Sequence, residues 1–346
     1  MSLTLAPGDE GHPRRRATLR DVAALAGVSV ATASKTLSGK YRVSGEARQR
    51  VELAAQELQF SPNLLAQGLQ SLRTGTVGML TSDLVGRFSI PIMMGAEDAF
   101  GIGAVSVFLC DARGDALREQ HHLKALLSRR IDGLIVVGHT TNPRPGLGDA
   151  VPVPVVYAYA PSDDPRDISV ISDNVAAGRA AAEHLLSCNR RNIAYIAGDP
   201  SINASTERIQ GAAAALAEHG LALLGGRELF GDWSEEWGRT ATRALLGAHP
   251  DLDAVLCGND IIARGVLDAV RELGRGVPDN ISVVGHDNWD IVATQSRPQL
   301  TTIDMNLEGL GRCAAKLLFD AIDGNAQPGI HTVGTRLVHR GSTAPK

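Results

Sequence analysis

Four cysteines, Cys110, Cys188, Cys257 and Cys313, are spread through 346 residues and never form a C-x-x-C pair. Neither a zinc site nor a disulfide framework is signalled, and buried reduced thiols are the plain reading. Long apolar runs are also missing. No stretch approaches the roughly 18 uninterrupted apolar residues of a membrane span. The opening MSLTLAPGDEGHPRRR lacks the apolar centre of a secretion signal, so a cytoplasmic chain with no membrane partner is expected, and the loop-like composition of residues 1–17 predicts disorder there. There is no P-loop, no nucleophile elbow and no H-E-x-x-H. Gly101-x-Gly103 lacks the rest of a dinucleotide fingerprint and reads as a helix end. His121 and His122, adjacent on a predicted helix, point in different directions and make a poor metal site. No enzyme, no cofactor and no metal are expected.

What is present is a chain 44% hydrophobic and 21% charged, enough to bury a sizeable core in more than one domain. Its net charge of -4 hides an uneven distribution. Between Arg14 and Gly75 ten Lys and Arg face four acids, a net of +6, so the remainder is strongly acidic. A basic head that meets phosphate and an acidic body with another task fit this split.

The head opens on Thr18-Leu19-Arg20-Asp21. The Thr hydroxyl caps a helix start, and the acid three residues on reaches back to the Thr amide. That helix turns Val22, Leu25 and Ala26 inward and stops at Gly27, which supplies the positive φ of a tight turn. Ser29 caps a second helix from Val30 to about Leu37, with Ala33 and Leu37 on one face. Two short helices about a glycine turn form a helix-turn-helix. A third helix from Ser44, with Val51, Ala54 and Leu58 at helical spacing, closes a small core over 18–61. Residues 62–75, beginning with Pro62, hold a segment too short to be helical alone because nucleation is costly; folding on DNA is the expectation for it.

From Thr76 the pattern changes to apolar runs alternating with amphipathic helices: Val77–Leu80, Val105–Leu109, Gly133–Val137, Val155–Tyr157, then Ile193–Ile196, Ala254–Cys257 and Ser282–Val284. Strand and helix in alternation mean parallel sheets covered on both faces. There are too many strands for one comfortable sheet, and the series restarts near Ser172. An α/β body of two doubly wound lobes over 76–346 is therefore predicted, lobe 1 about 76–172 and 303–331, lobe 2 about 173–302 and 332–346.

The head TLRDVAALAGVSVATASKTLSG, with VSGEARQRVELAAQELQFSPNLLAQGLQSLRTGTVGML, SRRIDGLIVVG, PDNISVVGHDNWD and PQLTTIDMNLEGLG further on, closely resembles the lactose-repressor-type (LacI/GalR) regulators. The resemblance covers nearly all of the chain from Thr18. It implies a type I periplasmic-binding-protein-like sensing domain and a homodimer that sets two heads on a pseudo-palindromic DNA operator, with paired hinge helices in the minor groove. Val30, Ala31 and Lys35 match base-reading positions, and the i, i+4 spacing independently places them opposite Ala33 and Leu37. Lys35 can donate to guanine, while Val30 and Ala31 offer only apolar contacts, best met by thymine methyl groups. Many relatives carry polar or bulkier residues here. Thr18, Ser29, Thr32, Ser34 and Asn63 match phosphate-contacting positions, with simple capping as the alternative. Ala66 and Leu69 match the minor-groove hinge, Leu69 as the wedge between base pairs; Gly68 beside it weakens the helix by roughly 1 kcal/mol relative to Ala. Residues 336–346 show no apolar heptad for a tetramerising coil, so a dimer is the expected assembly.

Ligands of doubly wound folds bind beyond the carboxyl ends of the strands. Those ends carry Asp83, Asp173-Asn174, Asn259-Asp260 and Asp287-Asn288, polar pairs suited to a hydroxyl-rich ligand. By resemblance Arg208 matches the sensing arginine, Trp233 an aromatic that stacks on the ligand, and Asn259 and Asp287 hydroxyl-binding positions. Ser82 and Phe88 form the first-lobe wall. Three alternatives stay open: Trp233 as a packed surface residue, Asp287 as a helix cap, and Arg208 paired beside Glu207. A saccharide effector is expected, acting on a repressor, with an activator, or a purine or other metabolite as co-repressor, as alternatives.

Overall fold

The computed structural model describes residues 17–37, 43–58, 60, 73–83, 85–101, 105–224 and 229–345. The chain divides into two compact units between Thr74 and Gly75. The first holds α1 (Leu19–Ala26), α2 (Val30–Leu37) and α3 (Gly45–Glu57). The capping box forms: Asp21 N donates to Thr18 Oγ1 at 3.4 Å and Thr18 N to Asp21 Oδ2 at 2.7 Å, satisfying two otherwise orphaned amides. Gly27 ends α1 in the left-handed region at φ 63. Thr32 N then donates to Ser29 Oγ at 3.0 Å to start α2. The core is Val22, Ala23, Ala26, Ala33, Val51, Ala54 and Ala55, with Leu37 and Leu58 packed at its edge. Leu25 is not in it. It is 49% exposed, because at about 100° per residue it lies well round the helix from the stripe shared by residues 22, 23 and 26.

In the second unit β1 (Thr76–Thr81), β2 (Ser106–Asp111), β3 (Gly133–Val137), β4 (Val155–Ala158), β5 (Ile168–Ser172) and β10 (Gly329–Val333) form a parallel sheet in the order β10-β5-β4-β3-β1-β2. A second sheet runs β11-β9-β8-β7-β6, from β6 (Ile193–Ile196), β7 (Ala254–Cys257), β8 (Ser282–Asp287), β9 (Thr301–Asp304) and β11 (Arg336–Val338). Its β11–β9 edge pairing is antiparallel, and its other pairings are parallel as expected. On the first sheet α4 (Ser89–Phe100) and α11 (Leu307–Ile322) cover one face, burying Ile92, Leu310 and Leu318 against Met79 and Ile135. Leu126 of α5 (Ala116–Ser128) covers the other with Leu80 and Leu134. On the second, α6 (Asn174–Ser187) and α7 (Asn203–Ala217) pack over Tyr195 and Leu256. Opposite them, α8 (Glu235–Ala248) and α9 (Asp260–Glu272) pack over Ile196 and Val255.

Each of these three helix pairs crosses on reciprocal glycines. A Cβ at Gly95 or Gly311, at Gly178 or Gly211, or at Gly238 or Gly265 would meet a carbonyl oxygen of the facing helix, so the backbones approach as only glycine permits.

The chain crosses between the sheets after β5, after β9 and after β10. The expected crossings near 303 and 332 come two residues too early. Ile303 and Asp304 still pair with His286 and Asp287 in the second sheet, and Thr332 and Val333 with Ile171 and Ser172 in the first. The pairing register, invisible in the apolar pattern, sets where each strand ends. Gly101 closes α4 at φ 80, as a helix end.

Candidate functional site

On the head, Ala33 and Thr36 are buried and Leu37 packs at the core edge, which leaves the opposite face of α2 outward. Val30 is 45% exposed, Ala31 and Lys35 are exposed, and Thr32 and Ser34 are half-buried. The predicted base-reading residues thus share an accessible face. Thr18 and Ser29 hold their caps, so the capping alternative for these two is realised in the structure. Asn63, Ala66 and Leu69 lie outside the described residues.

In the second unit a cavity of 330 Å³ opens at the carboxyl ends of the strands of both sheets. It is lined by Arg87 and Phe88 after β1, His139 and Thr140 after β3, and Tyr159 after β4. The second sheet contributes Asp199 and Ile202 after β6, Ala204 and Arg208 on α7, Trp233 before α8, Asn259 after β7 and Asp287 at the end of β8. Five of the predicted effector residues, Phe88, Arg208, Trp233, Asn259 and Asp287, therefore converge.

Their placement has local causes. Arg208 is fully buried; its Nε donates to Asn174 Oδ1 at 2.9 Å and its Nη1 to Gly258 O at 2.8 Å. Asn174 in turn donates to Glu207 at 2.9 Å, so Arg208 is linked to Glu207 through Asn174 of α6 rather than by a pair along its own helix. Burial pulls the Arg208 guanidinium below its ordinary range, with Tyr159 opposing. Trp233 lies flat against backbone, since a Cβ at Gly198 would run into its indole; it is a lining residue and not merely a surface one. Asn259 Oδ1 accepts from Ile262 N at 2.8 Å, capping α9 while facing the cavity.

Asp287, in the left-handed region at φ 110, caps no helix. The short α10 (Asp290–Ala293) begins after Trp289 with no side-chain cap. Its carboxylate instead forms an ion pair with Arg87, which reaches across from the first sheet. The guanidinium lies 5.0 Å from the ring centroids of both Phe88 and Trp289, and Phe88 stacks on Tyr159 at 4.5 Å. Burial also pulls Arg87 down, opposed first by Tyr159 and then by Asp260. Asp260 anchors the loop that carries Asp287: Trp289 N donates to its Oδ2 at 2.8 Å and Thr302 Oγ1 to its Oδ1 at 2.6 Å. Burial pushes this carboxyl up to about 6, with the Thr302 and Trp289 hydrogen bonds pulling the other way.

Two predicted residues fall elsewhere. Ser82 lines a neighbouring pocket with Glu119 and Arg144. Asp173 caps α6, accepting from Ala176 N at 2.8 Å, and is not among the residues lining the cavity. Sequence reasoning missed Arg87, His139, Thr140, Tyr159 and Asp199. The strand-end rule applied to β3 and β4 would have reached His139 to Tyr159; Arg87 carries no local signal. Among the described residues no cluster of His, Cys, Asp and Glu could hold a metal, and no helix is long and apolar enough to cross a membrane.

Residues 18–63 match the family described as bacterial regulatory proteins, lacI family, and residues 182–343 a periplasmic binding protein-like domain. The chain is 33% identical to the HTH-type transcriptional regulator CelR of Thermobifida fusca, over 92% of this chain and 96% of that one. It is 33% identical to the ribose operon repressor of Escherichia coli, over 88% and 93%, and 30% identical to the HTH-type transcriptional repressor PurR of Aliivibrio fischeri, over 88% and 92%. Among solved structures it resembles a CelR–cellobiose complex (31% identity, TM-score 0.64, 94% of this chain and 100% of that one). It also resembles the lac repressor dimer bound to operator and the anti-inducer ONPF (28%, TM-score 0.72, 95% and 100%). With relatives this similar over nearly the whole length, the chain belongs to the lacI family of bacterial regulatory proteins.

Proposed function

We propose that this protein is a transcriptional repressor that binds a pseudo-palindromic operator as a homodimer and releases or holds it according to a saccharide in the interlobe cavity. The reading rests above all on that cavity, where Arg208, Asn259, Asp287 and Trp233 of the second lobe face Phe88 and Tyr159 of the first. Fixed polar groups beside an aromatic face suit a polyhydroxylated ring. Val30, Ala31 and Lys35 read bases, Lys35 by donating to guanine. Thr32 and Ser34 face phosphate, together with the amides at the start of α2, and residues 62–75 serve as the hinge. The cellobiose complex of CelR supports the sugar class. Dimerisation is supported by exposed apolar groups of the first lobe, Phe108 and Leu109 of the edge strand β2 at 44% and 41% and Ile90 and Met94 of α4 at 45% and 49%. Exposed apolar groups clustered on one lobe mark an association surface.

The test uses the full chain. Duplexes selected from random sequence are titrated by fluorescence anisotropy with and without a panel of mono- and disaccharides and nucleobases, and the same panel is screened by thermal shift. One sugar is expected to raise Tm and change operator affinity together. A nucleobase doing so overturns the sugar class; no selected duplex at low salt overturns the regulator.

A further inference from the structure

Arg87 was reached by no sequence argument, and it is a side chain that joins the two lobes at the cavity. It lies after β1 of the first sheet, and its partner Asp287 ends β8 of the second. The two side chains are only 16% and 4% exposed. The seat around the guanidinium is built on both sides. Phe88 is held through its amide, which donates to Asp83 Oδ2 at 2.6 Å, and Trp289 through its amide on Asp260. A planar cation over aromatic ring faces and paired with a carboxylate is an arrangement that recognises a guanidinium.

The pair also partitions the cleft. The 330 Å³ cavity and a second one of 890 Å³ on the side of the interlobe crossings both have Arg87 and Asp287 in their walls. Away from this pair the lobes are tied again: Asn142 Nδ2 donates to Ser201 O at 2.8 Å, Asn203 N to Asn142 Oδ1 at 2.8 Å and Ala204 N to Thr141 Oγ1 at 2.9 Å.

We propose that Phe88, Trp289 and Asp287 form a guanidinium-binding seat whose tethered occupant is Arg87, and that an effector gains Asp287 only by unseating Arg87. The proposal rests on the reading of this cavity as the effector site. Arg87 Nη2 holds Asp287 Oδ2, so the guanidinium and a ligand hydroxyl that needs this same oxygen compete for it. Breaking the pair leaves a buried charge uncompensated unless the guanidinium finds another partner. The outer cavity provides one, since Asp290, Asp304 and Glu308 line it. Arg87 thus sets both specificity and threshold: a ligand must make more of Asp287 than the protein's own side chain does, and apparent affinity is reduced by the fraction of molecules in which the seat is taken.

The experiment removes the tether and offers the head group free. Full-length Arg87→Ala is expected to bind ethylguanidinium saturably at millimolar concentration, read as a rise in Tm and a change in Trp fluorescence against a KCl control. The native chain and the Arg87→Ala/Asp287→Asn double variant are expected not to respond. Arg87→Met, which keeps an apolar stem, serves if Arg87→Ala fails to fold. No saturable uptake by either single variant, or equal uptake by the double variant, overturns the seat. In a second arm, whichever of cellobiose, D-ribose or the other panel sugars binds the native chain is expected to bind Arg87→Ala about tenfold more tightly; weaker binding overturns the competition. If no sugar binds either protein, the saccharide reading falls while the ethylguanidinium arm still decides the seat.

Discussion

Lys35 and Asp260 carry formal charges in opposite settings, and each yields a prediction. Lys35 is exposed on the outward face of α2 beside Val30 and Ala31, the face proposed above to read bases. Lys35→Ala is expected to weaken binding to a selected operator by about 1–3 kcal/mol and relax preference at one base pair. Anisotropy titrations with base-substituted duplexes check it; a uniform loss at every sequence reassigns Lys35 to phosphate. Asp260 is buried, and its carboxyl is pushed up to about 6. A folded-state value above the unfolded one means the native chain takes up protons more readily than the denatured chain. The resulting stability is therefore complete below about pH 4 and is lost as pH rises through 6. Relative to Asp260→Asn, the native protein is expected to lose up to about 3 kcal/mol between pH 4 and pH 7.5. Urea unfolding across that range checks it, and parallel pH profiles exclude it.

At the scale of elements, the glycine crossings connect packing to the cleft. Gly211 of α7 faces the carbonyl of Val175 on α6, and α7 also carries Arg208. Gly211→Ala forces the helices apart, a change of the overpacking kind that costs about 1–3 kcal/mol, and it moves Arg208 from Asn174 and Gly258. Lower Tm together with weakened effector binding is expected, whereas Gly220→Ala, at φ 68 just beyond α7 with no atom near its Cβ, is expected to change Tm alone. Legibility in the sequence follows the same physics. Thr18-x-x-Asp21, Gly27 and Ser29 were readable because caps and turns are local chemistry, and seven strands were readable because they are apolar runs, six of them buried and β2 a half-exposed edge. The rule that polar residues at strand ends bind ligands gathered two populations. Asp83, Asp173 and Asn259 all accept from amides at a helix start, and of these only Asn259 also lines the cavity. A helix start and a hydroxyl ligand both ask for a short acceptor after a strand, so the motif alone cannot separate them. Arg87 was unreadable for a different reason: its partner lies 200 positions away and meets it only once two sheets face each other.

At the scale of the molecule, the basic head and the cleft are predicted to answer differently to salt. Operator binding by a head segment of net +6 releases counterions, so its affinity should fall steeply and log-linearly with KCl. In the cleft Arg87 and Asp287 neutralise each other and the effector is read as an uncharged saccharide, so its Kd should be nearly flat over the same range. Coupling between the two is fixed by linkage: whatever factor the effector applies to operator Kd, saturating operator must apply to effector Kd. Measuring the effector by calorimetry with and without a selected duplex at one salt concentration gives the second factor independently. Equality is expected in the native chain. In Trp233→Ala, effector binding is expected to fail while operator affinity stays native, because the indole on Gly198 lines the cavity. A Trp233→Ala protein that still changes its operator affinity with the same sugar would put the controlling site outside the cavity that Arg208 and Asp287 share.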